Sequence, residues 1–122
     1  MEKMAEMLIV KAKIKEVAKE CNVGGDVAEA LSNFAHEIIK KAAERAKAND
    51  RKTIQGKDIY VGEKKAEGEM LIVKSKIKDV AEGFNVGGDV ADALNQKVTW
   101  QLMQACERAK ANGRKTVQAR DV

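Results

Sequence analysis

The chain has 122 residues, enough for one ordinary domain or two very small ones. It is 44% hydrophobic and 34% charged, with 23 Lys and Arg against 19 Asp and Glu. This balance excludes a disordered chain, because so apolar a sequence with little net charge can collapse onto a core. No apolar run approaches the ~20 residues that cross a bilayer. Proline is absent and aromatic residues make up 3%, whereas helix-forming residues are abundant, so the composition predicts an all-α fold.

The N-terminus is charged and reaches only a four-residue apolar block at residues 7–10. A secretory signal needs a longer apolar stretch, so we expect a cytoplasmic protein. The two cysteines, Cys21 and Cys106, are widely spaced along the chain. We interpret them as small core residues in a reducing compartment rather than as a disulfide framework.

The first element is predicted as a helix over residues 7–19. Its spacing places Leu8, Ile14 and Val17 toward one side and most of the lysines away from it. Two glycines then break the chain, and Asp26 is expected in the first turn of the next helix, where a carboxylate is favoured by the helix dipole.

The second helix is predicted to be long, over residues 26–48. Its apolar positions recur at helical spacing and form one stripe: Val27, Leu31, Phe34, Ile38 and Ala42. Residues 49–50 end this helix. A short extended segment is expected at residues 51–54, and a last short helix at residues 55–60.

The whole pattern occurs twice. Residues 22–28 recur as 85–91, and residues 44–49 recur as 107–112, at a constant offset and without gaps. We therefore predict one repeat at 1–61 and a second at 70–122. Residues 62–69 between them are polar and bracketed by glycines, as is typical of a linker, and they reach at most ~28 Å.

A repeat of this size cannot cover a long central helix on both sides by itself. The sequence supplies a second copy in the same chain. We therefore expect the two long helices to cross, with the short first helix of each repeat packed over the centre of the other.

The order of a short helix, a long helix, an extended segment and a short helix resembles the histone fold. Residues 48–54, followed by Asp58, resemble the second loop of archaeal and bacterial histones. The resemblance implies that an arginine clamps the aspartate after it, which gives the pairs Arg51–Asp58 and Arg114–Asp121 here. It also implies a single-chain pseudodimer of two histone-fold repeats.

Two features depart from that family's pattern. The third helix of the second repeat ends at Val122 after barely one turn. The family carries a histidine near the second loop for contacts between dimers, and this position is Ala48 in one repeat and Ala111 in the other. End-to-end assembly into a nucleosome-like superhelix is therefore in doubt, although self-association stays open.

The resemblance also implies a surface for the phosphates of double-stranded DNA. The loops would contribute Lys52, Thr53, Lys115 and Thr116. The starts of the long helices would contribute Gly24, Gly25, Gly87 and Gly88, and the first helices would contribute Lys11, Lys13, Lys15, Lys74, Lys76 and Lys78. With no base-reading element in view, we expect sequence-tolerant, salt-sensitive binding that favours bent DNA, as in a nucleoid-associated protein.

Each of these features has a simpler interpretation. A lysine-rich helix face is commonly just solvated, and paired glycines before a helix are commonly a plain turn. The net charge of +4 is also modest for a protein that packages DNA. His36 is the single histidine, so the sequence predicts no histidine-based metal site and no Ser–His triad, and we expect neither an enzyme nor a cofactor.

The repeats diverge in sequence in the middle of the long helix, where residues 34–38 of the first repeat align with residues 97–101 of the second. An outward-facing Trp100, with Leu102 and Met103 nearby, would form a docking patch for another protein.

Two functions therefore remain at this stage. One is an architectural protein that bends or compacts DNA, and the other is a histone-fold interaction module with weak or no DNA binding.

Overall fold

A computed structural model describes residues 8–18, 21–59, 71–81 and 83–122. The first half of the chain contains α1 (Lys11–Val17), β1 (Asn22–Val23), α2 (Val27–Ala48), β2 (Thr53–Ile54) and α3 (Gly56–Ile59). The second half contains α4 (Lys74–Val80), β3 (Asn85–Val86), α5 (Val90–Ala111), β4 (Thr116–Val117) and a final 3-10 turn, Ala119–Asp121. The fold is mostly helical, as the composition predicts. The predicted linker, residues 62–69, lies outside the described residues.

The two long helices form the centre of the molecule. Helices α2 and α5 contact each other, α1 contacts α5, and α4 contacts α2. The predicted packing of each first helix against the long helix of the other half is therefore confirmed. Large side chains at the centre, among them Leu31, Ile39, Leu94 and Leu102, are buried and together with smaller residues form one core.

The apolar stripe of α2 points into this core as predicted, except that Phe34 is only half-buried. Two further alanines widen the stripe, because Ala35 and Ala46, like Ala42 within it, have no exposed surface. Residues without bulky side chains along a long helix allow its neighbours to approach closely. The scarcity of aromatic residues in the sequence is thus matched by a core of aliphatic side chains and alanine.

The first helix is shorter than predicted, because residues 8–10 are extended. Ile9 forms an antiparallel bridge with Ile72. The Val10 N–H donates to the Leu71 carbonyl, and the Val73 N–H donates to the Leu8 carbonyl, both at 2.8 Å. This pairing takes up the backbone groups that a helix beginning at residue 7 would need, so α1 begins at Lys11.

Two buried polar side chains anchor these extended segments to the long helices. Ser32 Oγ accepts the Leu8 N–H at 3.0 Å, and Asn95 Oδ1 accepts the Leu71 N–H at 2.7 Å. Ser32 and Asn95 occupy equivalent positions in the two halves. Each satisfies a backbone group that would otherwise be buried without a partner.

The interpretation of the cysteines as separate core residues was wrong. Cys21 and Cys106 are both buried, as expected, but they form a disulfide with a Cα–Cα distance of 6.2 Å. Separation along the chain does not limit contact here, because the loop after α1 lies against α5 of the other half. The pair therefore links the two halves covalently.

Candidate nucleic-acid interface

Two short parallel strand pairs bring predicted site residues from different halves together. In the first edge, which we define as β1 with β4, Asn22 is paired with Thr116. The Asn22 N–H donates to the Lys115 carbonyl at 2.8 Å. Lys115 and Thr116 of the second half therefore lie beside Gly24 and Gly25 of the first.

The second edge, defined as β2 with β3, has the same construction. Thr53 is paired with Asn85, and the Asn85 N–H donates to the Lys52 carbonyl at 2.8 Å. Lys52 and Thr53 thus lie beside the start of α5, with Gly87 and Gly88. Lys52 and Lys115 are exposed, whereas both threonines are half-buried.

The paired glycines have two separate roles. The N–H groups of Gly24 and Gly87 donate to the carbonyls of Val117 and Ile54, each at 2.8 Å, so they are not available to a phosphate. A Cβ at Gly24 would lie 2.9 Å from the Val117 oxygen, and one at Gly87 would lie 3.0 Å from the Ile54 oxygen. These two glycines are needed for close strand pairing, so the prediction that they contribute to the phosphate-binding surface was wrong for the N–H groups of Gly24 and Gly87.

The second glycine of each pair remains open. Gly25 and Gly88 are exposed, and a Cβ at either position would have no neighbour within 4 Å. Of the four predicted glycines, only these two leave room for a ligand. Asp26 and Asp89, which follow these glycines, influence how strongly an anionic ligand is attracted there.

Asp26 and Asp89 precede the long helices, as predicted for Asp26, but neither side chain caps its own helix. Asp89 Oδ1 instead accepts the Gly56 N–H of α3 at 2.8 Å, and Asp26 Oδ1 accepts the Ala119 N–H at 3.2 Å. Each carboxylate ties the start of a long helix to the last element of the other half. Each also offsets the positive end of the helix dipole, so these helix ends attract phosphate less than a bare N-terminus does.

Two arginine–aspartate pairs stabilise the loops that carry the lysines. Arg51 Nη1 and Nη2 donate to Asp58 at 2.8 and 2.9 Å, and Arg114 contacts Asp121 in the same bidentate way. The aspartates also accept the N–H groups of Gln55 and Gln118 at 2.8 Å. Both aspartates are buried, with 3% of their surface exposed.

The clamps shift the pKa values of their members. Hydrogen bonds from Arg51 lower the pKa of Asp58, and hydrogen bonds from Arg114 lower the pKa of Asp121 to about 2. The same bonds raise the pKa of both arginines. All four groups are therefore charged near neutral pH, and the arginines are occupied with their own loops.

A second arginine supports each clamp and was not predicted from the sequence. Arg45 Nη1 donates to the Asp58 carbonyl at 2.5 Å, and Arg108 Nη1 donates to the Asp121 carbonyl at 2.6 Å. The available signal was the recurrence of the segment 44–49 in both halves. A charge kept at the same place in both repeats has a structural role here, in fixing the end of each loop.

Two further cations near the edges were also missed. An open groove at the first edge is lined by Gly25, Thr116, Arg120 and neighbouring residues. The Arg120 side chain is exposed, and so is Lys57 at the equivalent place on the second edge. Both stand one residue before the clamped aspartate, a position that the repeat alignment marks as basic in both halves.

The first helices carry the third set of lysines predicted to contact phosphate. The bridge between Ile9 and Ile72 places the starts of α1 and α4 next to each other. Four lysines on these helices are exposed, namely Lys11, Lys15, Lys74 and Lys78. The other two, Lys13 and Lys76, are half-buried. The structure thus brings the starts of the two lysine-bearing helices together, at positions that belong to neither edge.

Three other kinds of site were also considered, namely a metal site, a membrane span and the apolar patch around Trp100. In the part of the chain that the structure describes, no group of three His, Cys, Asp or Glu side chains is placed to hold a metal ion. Within the same residues, no helix has the length and apolar character that a bilayer span requires. Trp100 and Met103 are exposed, at 50% and 46%, whereas Leu102 is buried and does not belong to the predicted docking patch.

Comparisons with known proteins agree with this architecture. Residues 4–61 match the family model of histone-like transcription factors (CBF/NF-Y) and archaeal histones. The crystal structure of the histone from Methanopyrus kandleri is similar, with a TM-score of 0.61 and 19% identity over 93% of this chain and 89% of that chain. No curated protein sequence matches the chain. The protein therefore has the histone fold, and its first half matches the family that includes archaeal histones.

Proposed function

We propose that this protein binds double-stranded DNA through its phosphates, without reading base sequence, and bends or compacts it on the chromosome. The observation that carries the proposal is the construction of the two edges. Each edge fixes a lysine and a threonine of one half beside an exposed glycine of the other. In this proposal the two repeats, 1–61 and 70–122, act as one unit.

The loop lysines, rather than the helix ends, carry most of the binding. Asp26 and Asp89 reduce the attraction of the helix ends for phosphate, whereas Lys52 and Lys115 are exposed. The first helices supply a middle contact through their lysines. Bending is part of the proposal because phosphate contacts spread over the two edges and the first helices can offset the energy needed to deform the duplex.

The sequence tolerance follows from the residue types at the edges. The lysines and threonines of the two loops are proposed to donate to phosphate oxygens, and contacts to phosphate fix the protein on the duplex without carrying sequence information. The two clamp arginines are held by Asp58 and Asp121. We therefore assign no base-reading role to any described residue.

Fluorescence anisotropy on mixed-sequence duplex DNA across a salt series tests this proposal. We expect the dissociation constant to rise steeply with salt in the parent protein. Lys52→Glu with Lys115→Glu should weaken binding and reduce the magnitude of the log–log salt slope by about 2, since about two phosphate contacts are lost. Energy transfer between dyes at the two ends of the duplex measures bending directly.

The matched control is Lys40→Glu with Lys41→Glu, which changes the net charge equally at two exposed positions of α2, outside both strand pairs. This variant should lose much less affinity than the edge variant. Equal losses in the two variants would contradict edge binding and indicate attraction by net charge alone. Absence of binding by the parent at low salt would contradict the proposal as a whole.

A second candidate function rests on the exposure of Trp100 and Met103. These side chains lie one helical turn apart on α5, where they present an apolar surface at spacing typical of a protein contact. In this alternative the histone fold holds a partner protein and touches DNA weakly. Trp100→Glu should then abolish partner binding, and in the DNA-binding proposal it should leave DNA affinity nearly unchanged.

A further inference from the structure

The disulfide joins two parts of the molecule that also meet at the first edge. Cys21 immediately precedes β1, and Cys106 lies in α5, which leads along the chain to β4. The Cα–Cα distance of 6.2 Å lies within the range that disulfides span, so the bond needs no backbone movement. The next residue, Asn22, makes the first hydrogen bond of the edge, to the Lys115 carbonyl.

The second edge has no such covalent link. The residues equivalent to Cys21 and Cys106 are Phe84 and Ala43. They line a common groove of about 350 Å³ together with Val80, His36 and Lys40, and neither of the two side chains can form a disulfide. The two edges otherwise have the same strand register and the same backbone bonds. The disulfide is therefore a difference between two otherwise equivalent edges.

We propose that Cys21 and Cys106 form a redox-controlled staple, which holds the first edge closed when oxidised and allows it to open when reduced. The second edge keeps the same behaviour in both states. This inference does not depend on DNA binding, because it concerns the opening of the strand pair itself.

The staple can form by exchange with a small disulfide such as oxidised glutathione. One cysteine thiolate attacks a sulfur of glutathione disulfide, which forms a mixed disulfide and releases one glutathione thiolate. The second cysteine thiolate then attacks the protein sulfur and releases the other. The protein loses two electrons and two protons, and two glutathione thiols are produced. Both cysteines are nearly fully buried, so exchange in either direction requires the loop to open first.

Native-state hydrogen exchange on the full chain, oxidised and then reduced by a phosphine, tests the inference. The reporter is the Gly24 N–H, which donates to Val117 in the first edge. The internal control is the Gly87 N–H, which donates to Ile54 in the second edge at the same 2.8 Å. We expect reduction to speed exchange at Gly24 by about tenfold or more and to leave Gly87 unchanged.

A variant provides a second test without reductant. Cys106→Ala installs the residue that the first half carries at the equivalent position, Ala43. Exchange at Gly24 in this variant should match that of the reduced parent and should no longer respond to the phosphine. Thermal unfolding of both proteins shows whether the fold is retained.

Three results would overturn the inference. Equal acceleration at Gly24 and Gly87 would show that the disulfide stabilises the whole fold rather than one edge. No acceleration at either position would show that the edge does not depend on the bond. Alkylation of both cysteines in denatured protein, after incubation with oxidised glutathione, would show that the bond does not form.

Discussion

Arg114 holds the carboxylate of Asp121 by two parallel hydrogen bonds, 2.8 Å from Nη1 to Oδ2 and 2.9 Å from Nη2 to Oδ1. The aspartate is buried, and it also accepts the Gln118 N–H. A charged group with three such donors is stabilised in its ionised form. The pair fixes the loop that contains Lys115 and Thr116, and its twin, Arg51 with Asp58, fixes the loop that contains Lys52 and Thr53.

The clamps predict a specific dependence of stability on pH. The pKa of Asp121 is lowered from 3.8 to about 2, so its contribution to the free energy of unfolding is complete above pH 4. The contribution is lost as the pH falls from about 4 through about 2. Asp58, whose pKa is also lowered, acts in the same direction. Denaturant unfolding at a series of pH values measures this loss.

Asp121→Asn is the control for that experiment. The amide cannot ionise, so this variant should be less stable than the parent at neutral pH, by about 2 kcal/mol. Its stability should also fall less steeply between pH 4 and pH 2. A variant with the same acid dependence as the parent would show that other carboxyl groups are responsible.

Gly24→Ala and Gly25→Ala form a matched pair that tests the strand pairing. A Cβ at Gly24 meets the Val117 carbonyl at 2.9 Å, a backbone atom that can move only with the strand, whereas a Cβ at Gly25 meets nothing. We expect Gly24→Ala to lower the free energy of unfolding by about 2 kcal/mol. Gly25→Ala should change it by less than about 0.5 kcal/mol. Equal effects would contradict the close approach at Gly24.

Thr99→Val should stabilise the protein. Thr99 is 2% exposed, and its hydroxyl has no hydrogen-bond partner among the described residues. Replacement of a buried, unpaired hydroxyl by a methyl group removes a desolvation cost, so we expect a gain of about 1 kcal/mol. Ser32→Ala is the opposite case, because it removes the acceptor of the Leu8 N–H and should destabilise the fold. Thermal unfolding of both variants measures whether stability rises for Thr99→Val and falls for Ser32→Ala.

Arg120→Gln tests whether the cations missed in the sequence take part in DNA binding. Arg120 is exposed beside Thr116 and Gly25 at the first edge. Loss of one phosphate contact should reduce the magnitude of the salt slope by about 0.9 and weaken binding equally on all sequences. Lys57→Gln should do the same from the second edge. Unchanged slopes in both variants would place the contacts on the loop lysines alone.

The sequence predicts the long helices well for local reasons. The stripe from Val27 to Ala42 has helical spacing, and two glycines and Asn49 mark its ends, so α2 is found at Val27–Ala48. The partners of the two clamps, Arg51–Asp58 and Arg114–Asp121, were expected from the resemblance of residues 48–54 and Asp58 to the second loop of histones. Composition alone predicts only an all-α fold.

Other features depend on contacts between residues far apart in the chain. Residues 7–10 are uniformly apolar, and a short run of this kind fits a helix and a strand equally well. For residues 8–10, the bridge to Ile72 decides in favour of the extended form. The disulfide and the hydrogen bond from the Gly56 N–H to Asp89 likewise join the two halves. Neither contact can be predicted from the spacing of residues within one segment.

The exposed Trp100 has a consequence for symmetry. A body built from two identical subunits shows every surface residue twice, once on each side of its axis. Here Trp100 occupies the position that Glu37 holds in the other half, so the two sides of the molecule carry an indole and a carboxylate. The two sides of the molecule are therefore chemically different. In the proposed complex with DNA, neighbouring copies along a duplex would have two distinguishable arrangements, with like sides all pointing in the same direction or with like sides facing each other.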